Sequence, residues 1–182
     1  YPDATIVPLI EDGNVNGDFT QGVIDASIAL TKVFVNASSC KTDSVNLIGV
    51  KTISTNCIKN SDFIESILSR LGIKINCKYL GNDDIENLKN LTEAKFNLLL
   101  NPDRFAMMLK QFLEDNYGMS FSSYIARPGL RATVEWIREV GKYFSKEETA
   151  ECIIQDICSE YNAHLEFLKN HLQGRTVYIA SM

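Results

Sequence analysis

Apolar positions along the chain fall into two kinds of pattern, which alternate. Short continuous apolar runs are typical of buried strands, and stripes that repeat every three or four residues are typical of helices with one buried face. Glycines such as Gly72 stand where a stripe ends. The pattern predicts, in order, a strand at 45–50, a helix at 63–72, a strand at 73–80, a short helix at 84–91 and a strand at 96–100.

The segment after residue 100 carries helix-terminal signals. Asn101, Pro102 and Asp103 are interpreted as the N-cap, a proline at the first helical position and an acid in the first turn. An apolar stripe follows and ends at Gly118. Beyond it, the pattern predicts a strand at 121–126 and a helix opened by Pro128.

A long helix is predicted near the end of the chain. Ser145 and Glu148 have the spacing of a capping box, and apolar residues then recur at helical spacing as far as Gly174, a length of about 40 Å. Such a helix is expected to bridge two domains. Residues 175–181 resemble a further strand, which either closes the same sheet or belongs to a following domain.

Strands separated by crossover helices imply parallel pairing. The predicted fold is therefore α/β: a Rossmann-like open, mostly parallel sheet with helices on both faces, plus the long C-terminal helix. The chain also begins at Tyr1 without a methionine, which favours an internal piece of a larger subunit. Its expected parts are the end of a preceding domain (1–42), a Rossmann-like middle domain (43–144), and a bridging helix with the first strand of a following domain (145–182).

Composition narrows the function classes. A chain of 182 residues with 45% hydrophobic residues can bury an ordinary core, and its net charge of −5 argues against nucleic acid, which needs clustered Lys and Arg. No apolar run approaches the roughly 18 residues of a membrane span. Five cysteines without CxxC pairing fit a reducing compartment, so a cytoplasmic protein is expected.

Ligands of open parallel sheets bind beyond the carboxyl ends of the strands. The loop at residues 51–60 lies there, and its candidate ligand-binding residues are Thr52, Ser54, Thr55, Asn56 and Cys57. The ordinary alternative is that Ser, Thr and Asn form turns and that the cysteine is a small apolar residue.

Further candidates follow the later strands. Asn101 could meet a negative group or simply cap its helix, and Arg127 and Arg131 are cationic candidates or members of a solvated face. The turn at 81–84 places carboxylates in the same crevice, although a turn before a helix favours those residues anyway. No catalytic residue is predicted.

No metal ligand is predicted either. His164 and His171 are seven positions apart on the long helix, whereas a two-histidine site needs i, i+4 spacing or help from another element. Cys152 and Cys158 point to different sides of that helix. There is no GxGxxG, P-loop or GxSxG motif.

Several stretches stand in an order that fits one known family. They are Asp12-Gly-Asn-Val-Asn-Gly17 with Gly22 and Ala26, Asp43-Ser-Val-Asn-Leu-Ile-Gly49, Ile64-Glu-Ser-Ile-Leu-Ser-Arg-Leu-Gly-Ile-Lys-Ile75, Leu80-Gly-Asn-Asp-Asp84, Ala94-Lys-Phe-Asn-Leu-Leu-Leu100, Leu113-Glu-Asp-Asn-Tyr-Gly118, residues 129–138 and Leu172-Gln-Gly-Arg-Thr-Val-Tyr178. Together they resemble the central part of nitrogenase component 1 subunits, over nearly the whole chain.

The resemblance implies a large oxidoreductase subunit of three Rossmann-like domains that holds iron-sulfur or molybdenum-iron clusters. It also implies a homologous second subunit and an ATP-dependent iron protein as partners. The family includes cofactor-assembly scaffolds, dark-operative protochlorophyllide reductase and a tetrapyrrole reductase. This chain corresponds to the second domain with flanking pieces.

The chain departs from the cofactor-bearing α subunit of that family at two places. Asn101 stands where that subunit has a cysteine ligand, and residues 22–29 lack the histidine of the corresponding helix. The expectation is a β-like or scaffold-like fragment that holds no cluster and is not catalytic alone. The alternative is a stand-alone Rossmann-like module that binds a small polar or anionic ligand.

Overall fold

The computed structural model describes residues 4–9, 19–49, 57–81, 83–124, 129–176 and 178. Within these ranges helices and strands alternate, with a single 3₁₀ turn before the third strand. The elements are α1 (Phe19–Phe34), β1 (Thr42–Ile48), α2 (Cys57–Arg70), β2 (Lys74–Lys78), α3 (Ile85–Lys89), the 3₁₀ turn (Leu91–Glu93), β3 (Ala94–Leu99), α4 (Arg104–Tyr117), α5 (Leu130–Tyr143) and α6 (Glu147–Leu172). No helix in these ranges has the length and apolar character needed to cross a membrane.

The three strands form a parallel sheet in the order β2-β1-β3. Val45 of β1 pairs with Ile75 on one side and with Phe96 on the other. The connection from β2 to β3 therefore passes over β1, and the direction of winding reverses between β1 and β3. The predicted parallel α/β class is confirmed.

Each face of the sheet has its own apolar core, because side chains alternate along a strand. On one face, Leu47 packs with buried residues of α2, α5 and α6, including Ile67, Trp136 and Ile154. On the other face, Ile48 packs with α3 and α4, and α1 adds partly buried residues there. Helices thus cover both faces, as predicted.

Three asparagines join the strands through their side chains. Asn76 of β2 donates to the Asn46 side chain of β1 at 2.9 Å, and Asn46 donates to that of Asn97 of β3 at 2.8 Å. Asn97 in turn donates to the Ser120 carbonyl at 2.8 Å. Asn46 and Asn97 are buried, so this asparagine ladder gives their amides the partners that burial requires.

Two predicted helix caps are wrong. Asp103, not Asn101, caps α4, since its side chain accepts from the Ala106 amide at 2.9 Å. The capping box at 145–148 does not form: Ser145 has a positive φ of 55° and Lys146 holds the cap position without a side-chain bond.

The reason lies in the tight crossing of α5 and α6. A Cβ added at Gly141 would lie 2.6 Å from the Ala150 Cβ, so the two helices approach closely just beyond the turn. The Lys146 amide donates to the Gly141 carbonyl at 2.7 Å. This approach fixes the turn and leaves Ser145 unable to act as the cap.

The strand predicted at 121–126 is largely wrong. Phe121 forms an isolated parallel bridge with Asn97, and residues 122–124 leave the sheet. At the end of the chain, Arg175 and Thr176 have no regular structure, and most of the predicted last strand lies outside the described residues. The long helix is confirmed, with 26 residues and a length of about 39 Å.

The sequence pattern gave no prediction for α1. Its buried face includes Ser27 and Thr31, whose hydroxyls donate to the carbonyls of Val23 and Ser27 one turn earlier. Thr31 also shares a 2.5 Å hydrogen bond with the buried Tyr79 hydroxyl. Because polar residues occupy part of the buried face, the apolar stripe that marks a helix is interrupted.

Candidate functional site

The carboxyl ends of β1 and β3 meet the start of α4 at one edge of the sheet. Gly49 follows β1 with a φ of 82°. A Cβ at Gly49 would lie 2.9 Å from the Ala106 Cβ of α4 and 3.8 Å from the backbone nitrogen and oxygen of Asn101. This is the point where the winding of the sheet reverses, which is where ligands bind in folds of this class. We call it the β1/β3 crevice.

Asn101 lies in this crevice, directly after β3, and is half-buried. Since Asp103 supplies the cap, the Asn101 side chain is not the N-cap of α4. The Asp103 carboxylate sits at the helix N-terminus and satisfies the Ala106 amide. An anionic ligand at the start of α4 would meet that negative charge, so this helix end is a poor anion site.

The start of α1 lies at the same edge. Arg104, at the start of α4, donates to the Gln21 side chain at 3.2 Å, and Tyr117, at its end, reaches the Thr31 carbonyl at 3.5 Å. The two helices therefore run side by side in the same direction. The pattern analysis missed Arg104 as a cation of this edge, although its position immediately after the strand end was the available signal.

A carboxylate on α5 organises the segment that follows the Phe121 bridge. Glu139 accepts from the amides of Ser123 at 2.7 Å and Tyr124 at 3.1 Å, and from the Ser122 hydroxyl. Ser122 is buried, so these bonds hold the chain where it leaves the sheet. Glu139 was not among the candidates from the sequence, because its partners are 15 to 17 positions away.

The remaining candidates from the sequence have different outcomes. Thr52, Ser54, Thr55, Asn56 and Arg127 lie outside the described residues. Cys57 is the first residue of α2, and its side chain is also outside them.

Arg131 belongs to α5 and pairs with Glu135 one turn later at 3.0 Å. Its side chain is 92% exposed. This is the ordinary surface pair of an amphipathic helix.

The turn after β2 is a structural turn. Asp83 accepts from the amides of Lys78 at 2.6 Å and Asp84 at 2.9 Å, and from the Asn87 side chain at 2.6 Å. Burial, together with the nearby Asp83 carboxylate, raises the pKa of the Cys77 thiol to about 12. Cys77 therefore stays protonated at neutral pH and is a poor thiolate ligand.

The described residues do not fit an iron-sulfur or molybdenum-iron cluster. Such clusters are held mainly by several convergent thiolates. Cys40 and Cys152 are exposed, Cys77 is buried, and Cys158 packs at the edge of the α2/α5/α6 core. Across the described ranges, no three His, Cys, Asp or Glu side chains come together as a metal site. His164 and His171 each bond through Nδ1 to a carbonyl of their own helix.

Comparison with known proteins gives a consistent result. The sequence model of the family described as nitrogenase component 1 type oxidoreductase matches residues 2–182. The chain is 29% identical over 139 residues to a nitrogenase molybdenum-iron protein alpha chain of Methanococcus maripaludis, covering 75% of this chain and 28% of that protein. It is 32% identical over 103 residues to a subunit of the light-independent protochlorophyllide reductase of Angiopteris evecta, covering 56% and 20%.

A solved structure described as nitrogenase Cp1 at pH 6.5 has the same fold over this region, with a TM-score of 0.70 and 20% identity. The alignment covers 86% of this chain and 30% of that one. The chain thus spans between a fifth and a third of the length of these relatives.

Proposed function

Because this chain belongs to the nitrogenase component 1 type oxidoreductase family, we propose that it is the middle part of a reductase or cofactor-assembly subunit and holds no metal cluster by itself. In this proposal the chain supplies a rigid sheet and the β1/β3 crevice, and cluster ligands come from other parts of a longer subunit. The family resemblance inferred from the sequence is confirmed by the match over nearly the whole chain.

The observation that carries this proposal is the side-chain chemistry of the crevice. Asn101 stands at the carboxyl end of β3 beside Gly49, and an amide there is a weak ligand for iron compared with a thiolate. The described cysteines lie on separate elements and do not converge. This set of residues supports a β-like or scaffold-like role over a cofactor-bearing one.

The proposed domain arrangement keeps residues 43–144 as the Rossmann-like middle domain. Residues 1–42 come from a preceding domain, with α1 packed against α4. Residues 145–182 comprise α6 and the first strand of a following domain. The uncovered apolar stripe on the last half of α6 supports this arrangement, since such a surface is expected to be covered in the intact protein. The stripe consists of Tyr161, Leu165, Leu168 and Leu172.

The proposed partners follow from the family. The relatives are named as an alpha chain and as a reductase subunit, so they work in multi-subunit assemblies. We propose a homologous second subunit as the first partner of this protein and an ATP-dependent iron protein as its electron donor. A cytoplasmic location fits these partners.

Iron and sulfide analysis tests the proposal. The chain is purified without oxygen, and its iron, acid-labile sulfide and visible spectrum are measured. We expect no stoichiometric iron and no thiolate-to-iron absorption. A stoichiometric cluster that survives gel filtration would contradict the proposal.

The crevice geometry also favours a second candidate, a module that binds a small polar ligand. Its position at the winding reversal and the Asn101 amide support this interpretation, while Asp103 weakens the case for an anion. A thermal-shift screen against nucleotides, phosphate and organic acids tests it, because a ligand of the folded state raises the melting temperature by mass action. A shift that disappears in Asn101→Ala but persists in Asn116→Ala, an exposed residue of α4, would support it.

A further inference from the structure

The segment at 120–124 enters the sheet as a fourth parallel strand and then leaves it. The Asn97 amide of β3 donates to the Ser120 carbonyl at 3.1 Å, and the Ser122 amide donates to the Asn97 carbonyl at 2.9 Å. These two bonds are the regular ladder of parallel strands. Within the described residues the ladder stops there.

The next bonds of that ladder can be identified from its alternation. The Leu100 amide donates to Ile48 of β1, so Asn97 and Leu99 direct their backbone groups to the opposite edge. Continued pairing would bring the Tyr124 amide to the Leu99 carbonyl. Instead, the Tyr124 amide donates to the Glu139 carboxylate at 3.1 Å, and the Ser123 amide donates to it at 2.7 Å.

We propose that Glu139 is a positioning residue that ends the fourth strand by competing with the Leu99 carbonyl for the Tyr124 amide. Hydrogen bonds to a carboxylate are roughly twice as strong as those to a neutral carbonyl, and Glu139 receives three of them. The residues themselves favour a strand, since 121–126 have the composition and alternation of one. The carboxylate overrides that preference.

This competition sets the shape of the crevice. Because the chain leaves the sheet after Ser122, the fourth strand does not run beside the carboxyl end of β3 and Asn101. Glu139 thereby keeps the outer side of β3 open at the edge where the crevice lies. The inference concerns the fold of this edge and is independent of the proposed function.

Hydrogen-bond scalar couplings measured by NMR on the labelled chain test the proposal. In the unaltered protein, the Ser123 and Tyr124 amides should couple to the side-chain carboxylate carbon of Glu139. In Glu139→Ala, the Tyr124 amide should couple to the Leu99 carbonyl carbon instead. Coupling to Leu99 in the unaltered protein, or no coupling to Leu99 in the variant, overturns the proposal.

Two further variants complete the test. Glu139→Gln preserves side-chain size but removes the charge, so hydrogen-exchange protection of the Tyr124 amide by the side chain should fall about tenfold, with a partial coupling to Leu99. This variant carries the test if the alanine variant does not fold. Glu135→Gln, on the same helix, should leave both couplings unchanged, and an equal change in that control would also overturn the proposal.

Discussion

At the scale of single residues, Gly49 is the position where the fold most restricts the side chain. It combines a positive φ of 82° with a close approach to Ala106. Gly72 has a similar φ of 68°, but a Cβ there would meet nothing within 4 Å. The two glycines therefore separate the cost of backbone conformation from the cost of overpacking.

We expect Gly49→Ala to lower the free energy of unfolding by about 2–4 kcal/mol, from the left-handed backbone plus overpacking. Gly72→Ala should cost only about 1 kcal/mol, from the backbone alone. Urea denaturation midpoints at equal m-values measure both changes. Equal losses in the two variants would show that the contact with Ala106 carries no weight.

Residue-level prediction succeeded where a residue acts locally and failed where its partner is distant. Gly118 was predicted to end α4 and does so in a left-handed conformation, with a φ of 59°. The Asn101 cap was wrong because Asp103, two positions on, bonds the Ala106 amide. Glu139 was missed because nothing in the local pattern reveals contacts to Ser122 and its neighbours.

At the scale of elements, the asparagine ladder holds three strands in register. Asn46 donates to the Leu91 carbonyl at 2.7 Å and to the Asn97 side chain, and it accepts from Asn76. Removing Asn46 would leave a buried carbonyl and a buried amide oxygen short of donors. The local pattern treated this residue only as part of an apolar run, since side-chain pairing across strands depends on register.

Asn46→Ala is therefore expected to lower the free energy of unfolding by about 2–4 kcal/mol. Asn116→Ala removes an exposed side-chain bond to the Phe112 carbonyl and should change it by less than about 0.5 kcal/mol. Chemical denaturation of both variants gives the comparison. A loss in Asn46→Ala no larger than in the control would contradict the role of the ladder.

Most elements were predictable because their apolar periodicity is uninterrupted, as in β1, α4 and α6. The exceptions have physical causes. In α1 the hydroxyls of Ser27 and Thr31 occupy the buried face, and near Phe121 the amides prefer a distant carboxylate to the neighbouring strand. Both features depend on tertiary contacts that a local pattern does not contain.

At the scale of the whole molecule, α6 divides into a packed half and an uncovered half. Ile154 belongs to the α2/α5/α6 core and is 5% exposed, whereas Leu168, on the continuation of the same stripe, is 48% exposed. The proposal of a following domain assigns the uncovered half to an interface that this chain does not complete.

In this chain alone, Ile154→Ala should lower the free energy of unfolding by about 2–4 kcal/mol, because it opens a cavity in the core. Leu168→Ala should change it by less than about 0.5 kcal/mol. Thermal or urea unfolding of the two variants decides the matter. Similar losses in both would mean that the last half of α6 is already packed within this chain.

The proposal that the chain is a nitrogenase component 1 type domain without its own cluster is best tested by anaerobic reconstitution. The purified chain is incubated with ferrous iron, sulfide and a thiol reductant, desalted, and analysed for bound iron and by Mössbauer spectroscopy. We predict only trace, non-stoichiometric iron, because the described thiols do not converge and Cys77 remains protonated. A stoichiometric cluster with a uniform Mössbauer signal would contradict the proposal.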